Sequence, residues 1–185
     1  MYFFIKDLNI ADKPSDIAYY AGFHAASFSF AQFFTSLFWG WLSDKFGRKQ
    51  VLLVGLFGNA VCMISFGFAK TYKVALISRI FSGALNGNLG VVKSSIAEVT
   101  DETNSARAFG LFNITWAMGS LLGPVLGGFL ANPATSMPFI FKSCTFLVSY
   151  PYFSPPFVSS LVSLCGFVFS LFFLPEIKYP TIFFS

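Results

Sequence analysis

Three ionisable side chains stand inside long apolar runs. Arg79 and Lys93 lie within Val74–Ala97, and His24, the one histidine, lies within Ile17–Leu42, a run with no Asp, Glu, Lys or Arg. A cation inside a membrane span is expensive and faces a polar interior. A histidine changes charge near neutral pH and can carry protons. At about 100° per residue, Arg79, Gly83, Asn86, Gly90, Lys93 and Ala97 share one side of a helix. On the first run, His24, Ser27, Gln32 and Thr35 lie within about 140° of one another and could line a path. Asn59, Asn86, Asn88, Asn113 and Trp116 are further path candidates. A plainer reading stands beside each. Arg79 lies about one turn into its run and could snorkel to water, as could Lys93 near the other end. His24 is equally compatible with a structural role. Gly22, Ala26, Ser29, Ser36 and Gly40 form a small-residue stripe suited to helix packing.

Other chemistry is poorly supported. Cys62, Cys144 and Cys165 are far apart and form no Cys-x-x-Cys pair. With one histidine beside them, a zinc site of about four ligands is not expected. The spans hold no carboxylate pair, histidine cluster or activated serine motif, so the chain does not read as an enzyme, and no cofactor is implied. The net charge of +4 comes from scattered residues, with no basic run longer than Arg48-Lys49. Nucleic-acid binding needs a basic stripe, so no nucleic-acid partner is expected.

The elements that must position these residues are set by composition. Of 185 residues, 55% are hydrophobic and 11% charged, against about a quarter charged in soluble domains. The bilayer is the natural solvent for such a chain. A membrane helix needs about 20 mostly apolar residues, and five runs qualify: 17–42, 51–69, 74–97, 108–131 and 156–174. Short charged turns at 43–50 and 70–73, a polar segment at 98–107 and a proline-marked stretch from Asn132 to Tyr150 separate them. The runs do not alternate, so they predict an all-α polytopic bundle and not a barrel. One domain is expected over 1–175, with 176–185 as a tail. On the side of the 43–50 turn lie Lys45, Arg48, Lys49, Arg107 and Lys178. The other side holds Lys6, Lys13, Lys70, Lys73 and Lys142. Five against five leaves the orientation open under the positive-inside rule, although the cluster at 45–49 favours a cytoplasmic turn. Met1–Ile5 is too short for the apolar region of a signal peptide and reads as the end of a longer segment.

The turn Gly40-Trp41-Leu42-Ser43-Asp44-Lys45-Phe46-Gly47-Arg48-Lys49 resembles the signature loop between helices two and three of major facilitator superfamily transporters. That pattern is Gly-x-Leu-(small)-Asp-(basic)-x-Gly-Arg-(basic). Gly40 would admit a close neighbour, Gly47 a positive φ, and Asp44 would face a helix N-terminus or an arginine. A charged loop accounts for the charges, but not for the whole pattern. Arg79, Gly83 and Gly87 resemble the helix-four motif of the family, whose arginine is linked to proton coupling. Gly119, Gly123, Pro124, Gly127 and Gly128 resemble the helix-five motif of its antiporters. There the glycines make a bare groove, and Pro124 removes one backbone hydrogen bond. Tyr19-Tyr20-Ala21-Gly22-Phe23 and Phe38-Trp39-Gly40-Trp41 resemble a fungal and plant branch with zinc-induced facilitator-like and tetracycline-resistance-type exporters.

The resemblance covers nearly all of residues 3–175 and implies helices two to six of an N-terminal half, with helix one present as its last few residues. It implies proton-coupled antiport or export of a small molecule, whose identity it does not give. His24, Gln32, Asn86 and Trp116 would be path-lining. The host membrane, plasma or vacuolar, is undecided. The substrate of this family sits between two rocking halves, so a second half or a partner chain would be needed for transport. The alternative expectation is a short, non-transporting membrane protein that packs with other helices or with a full-length relative.

Overall fold

The computed structural model of the protein describes residues 2–7, 10, 13–131, 150 and 152–174. All regular structure among them is helical: α1 (Tyr2–Asp7), α2 (Pro14–Phe46), α3 (Arg48–Gly67), α4 (Tyr72–Leu85), a 3₁₀ turn (Asn86–Asn88), α5 (Leu89–Val99), α6 (Ser105–Leu130) and α7 (Ser154–Phe173). The proline-marked connection 132–149 and the tail 176–185 lie outside the described residues.

Local chemistry sets the boundaries. Pro14 opens α2, where its missing N–H is not needed, and Asp16 follows in the first turn at the positive end of the helix dipole. Gly47 alone separates α2 from α3; its φ of 101° is open to glycine and strained for other residues. Thr71 caps α4 by accepting from the Val74 N–H. Pro155 lies in the first turn of α7, and α6 runs unbroken through Pro124.

The expected runs fare differently. α3, α6 and α7 are long and apolar enough to cross a membrane. α2 covers 17–42 as one helix of 33 residues, but it is not among the helices that meet that criterion of length and composition. Val74–Ala97 was expected as one span and is two helices joined by the 3₁₀ turn. The shared face from Arg79 to Ala97 is therefore not kept: Gly83 is buried, whereas Gly90 and Lys93 are exposed. Tighter winding across Asn86–Asn88 shifts the helical phase between the two segments.

α3 packs most extensively on α7, and α2 on α4, with α3 also against α4. One apolar cluster, Phe4, Ile5, Ile17, Ala69 and Ala75, closes one end of the bundle. A second, Trp39, Val51 and Val91, lies near the α2–α3 turn. α6 stands at the periphery, meeting chiefly α5 and α7, and buries no residue. Large apolar side chains point outward, with Leu37 85% and Phe172 76% exposed. Water would not tolerate so continuous an apolar surface, and lipid does.

Candidate functional site

Two arginines organise the molecule, one at the α2–α3 turn and one between the helices. Arg48, the first residue of α3, is 9% exposed. Its Nε donates to Glu98 Oε2 at 3.1 Å, and Nη2 donates to Glu98 Oε1, a two-pronged pair. Its Nη1 donates to Ser94 Oγ at 2.7 Å and to Ser43 Oγ at 3.2 Å. The guanidinium thus joins the end of α2 to the end of α5. Asp44 meets the same Nη2 at 3.4 Å, but its side chain is 70% exposed, and exposed pairs of this kind contribute little. The main partner of the turn arginine is Glu98. Lys45 lies over the rings of Trp41 and Phe46, at 5.2 and 5.7 Å, and Lys49 is half-buried.

Between the turn and the middle of the bundle, α2 holds the broken helix. Trp39 Nε1 donates to the Ala84 carbonyl at 2.6 Å, and Gln32 Nε2 to the Asn86 carbonyl at 3.1 Å. These carbonyls lie at the α4–3₁₀ junction, where the regular ladder is interrupted. Gly83 and Gly87 permit the approach: a Cβ on Gly83 would meet the backbone of Phe28, and one on Gly87 would lie 2.6 Å from Thr35 Oγ1 and Trp39 Cδ1. Gln32, expected to line a path, thus uses its side-chain amide on the backbone carbonyl of Asn86, a bond that does not engage the Asn86 side chain. A second polar junction ties three helices: Ser82 Oγ donates to Asn59 Oδ1 at 2.8 Å, and Asn59 Nδ2 donates to Ser163 Oγ at 3.0 Å. Asn59 is committed to packing.

Arg79 occupies a different setting. Its guanidinium lies 4.5 Å from the centre of the Phe28 ring. Its Nε is buried without a hydrogen-bond partner among the described residues. It opens on a cavity of about 610 Å³ that is also lined by Gly123, Pro124, Gly127 and Gly128 of α6. Phe4, Met63, Phe66 and Tyr152 supply apolar wall. Arg79 of α4 and Gly123, Pro124, Gly127 and Gly128 of α6 therefore meet at one cavity. Gly119 does not join them. It borders a shallow groove on the outer side of α6 with Trp116, which is itself exposed. His24 is 5% exposed and packed by the Phe66 and Tyr72 rings at 5.6 and 6.4 Å; its Nδ1 has no partner among the described residues. Gly40, expected to admit a close neighbour, has none among the described residues. Sequence reasoning missed Glu98 and Ser94 as site residues and placed Glu98 only at a polar break.

Residues 6–182 match the family model described as Major Facilitator Superfamily. The chain belongs to that superfamily. It is 40% identical over 177 residues to the major facilitator superfamily multidrug transporter mfsB of Aspergillus fumigatus, covering 95% of this chain and 29% of that protein. It is 37% identical to the zinc induced facilitator-like 1 protein of Arabidopsis thaliana, over 84% of this chain and 32% of that one. The class H tetracycline resistance protein of Pasteurella multocida is 34% identical, over 74% of this chain and 34% of its own length. The chain thus spans about a third of the length of these relatives. Superfamily membership and the apolar helices make it an integral membrane protein of a transporter family, and not an enzyme.

Proposed function

We propose that the chain forms the helix-two to helix-six part of a major facilitator transporter that exports a small molecule in exchange for protons. The observation that carries this reading is the cavity where Arg79 meets Gly123, Pro124, Gly127 and Gly128. A guanidinium in an otherwise apolar cavity can respond to the arrival of a charged substrate or proton carrier, and a bare glycine wall leaves room for movement. His24, buried with an unpartnered ring nitrogen, is the candidate proton carrier. The Arg48–Glu98 pair would hold the turn end of the bundle in one arrangement. The name of a relative 30% identical over 90% of this chain, the efflux pump azaK of Aspergillus niger, supports export as the direction.

The test is proton flux in sealed vesicles carrying the chain, with and without a separately expressed remainder of a relative. A pH-sensitive dye reports the flux after addition of tetracycline and other small organic compounds. Compound-dependent proton release with both parts present is expected, and its loss in Arg79→Gln. Proton movement indifferent to every compound would sink the proposal. A second reading, a non-transporting protein that packs with other helices, is favoured by the bare glycine faces of α2 and α6. It predicts co-purification with a full-length relative and no flux of its own.

A further inference from the structure

The Arg79 cavity carries a more specific ligand than the transport reading supplies. Its volume, about 610 Å³, lies within the usual range of small-molecule sites. Arg79 is the one charged side chain among the described residues that line it. The other walls are largely apolar, with the rings of Phe4, Phe66 and Tyr152 and the prolines 155 and 156. A cation taken out of water needs a counter-charge, and in a membrane interior the need is greater. Among the described residues none pairs with Arg79: their ion pairs all belong to Arg48. The guanidinium carbon lies 4.5 Å from the centre of the Phe28 ring, while Nε has no hydrogen-bond partner among the described residues. A guanidinium edge suits a carboxylate, which can accept two parallel hydrogen bonds.

We infer that this cavity binds a small amphipathic carboxylate, with its charged end on Arg79 and its apolar body against the aromatic and proline wall. The carboxylate could belong to a free small molecule or to a side chain from another membrane segment; the assignment is to the free molecule. It deepens the transport reading, but binding is measured without flux, so a chain that binds and does not transport would leave it standing.

The test uses the 185-residue chain in discs of phosphatidylcholine, with radiolabelled 2-naphthoate and its neutral amide as probes. Saturable binding is expected, with the carboxylate favoured about tenfold, the scale of one charge-assisted hydrogen bond. Arg79→Gln should abolish the preference, and Arg79→Lys should keep part of it. Gly127→Leu, which adds a side chain to the part of the cavity wall supplied by α6, should weaken both probes alike. Equal binding of acid and amide to the unaltered chain would overturn the proposal even if no variant folds, and would fit a protein carboxylate already on Arg79. Survival of the preference in a folded Arg79→Gln protein would overturn it as well.

Discussion

The glycines of this chain fall into two populations. Those of α3, α4 and the 3₁₀ turn are filled: a Cβ on Gly55, Gly58, Gly83 or Gly87 would collide with a neighbouring element. Those of α2 and much of α6 are bare: Gly22, Gly40, Gly119, Gly123 and Gly127 have nothing within 4 Å of an added Cβ among the described residues. Spacing does not separate the two classes, since Gly83 and Gly87 are four apart, as are Gly119, Gly123 and Gly127. Position in the bundle does. α3 and α4 are enclosed by α2 and α7, whereas α6 stands at the edge. A small-residue motif in a membrane helix therefore announces a contact surface without saying whether this chain supplies the other side.

The largest test of that contrast lies at the enclosed end. Glu98→Ala should strand the buried Arg48 and cost about 3–5 kcal/mol, while Lys93→Ala on the exposed face should change little. Reversible unfolding in mixed detergent micelles, followed by circular dichroism, would compare them; equal effects would break the distinction. Gly83→Ala should cost about 1–3 kcal/mol by overpacking against the Phe28 backbone, and Gly123→Ala close to nothing in the same measurement. Asn59→Ala should be smaller, about 1 kcal/mol, because hydrogen bonds inside a membrane contribute modestly. A larger loss would mark the α3–α4–α7 junction as the main brace. Gly40→Leu and Gly119→Leu should leave the stability of the chain alone within about 0.5 kcal/mol. They should still lower its recovery with a co-expressed remainder of a relative; unchanged recovery would mean those faces meet only lipid.

What the sequence made legible was local. The one-residue turn at Gly47 follows from a pattern whose glycine requires a positive φ, and the structure has it at 101°. The apolar runs located α3, α6 and α7 to within a few residues. Glu98 was not legible as the partner of Arg48 because fifty positions separate them, and nothing in the periodicity of either segment brings them together. The break at 86–88 had a signal that went unused: Asn86-Gly87-Asn88 places three poor helix formers in a row. The apolar residues on both sides masked it. Arg79 was identifiable as a cation inside an apolar run, but the cavity it shares with α6 depends on tertiary placement.

The hydrogen bonds from Trp39 and Gln32 to the carbonyls of Ala84 and Asn86 have a mechanical consequence. They splint a joint. α4 carries Arg79 above it, and α5 carries Glu98 below it. Bending the joint must either drag α2 along or release the splint. Because α2 ends at the turn that places Arg48 on Glu98, a tilt that starts at the cavity arginine is geared to the far end of the bundle through a single rigid rod.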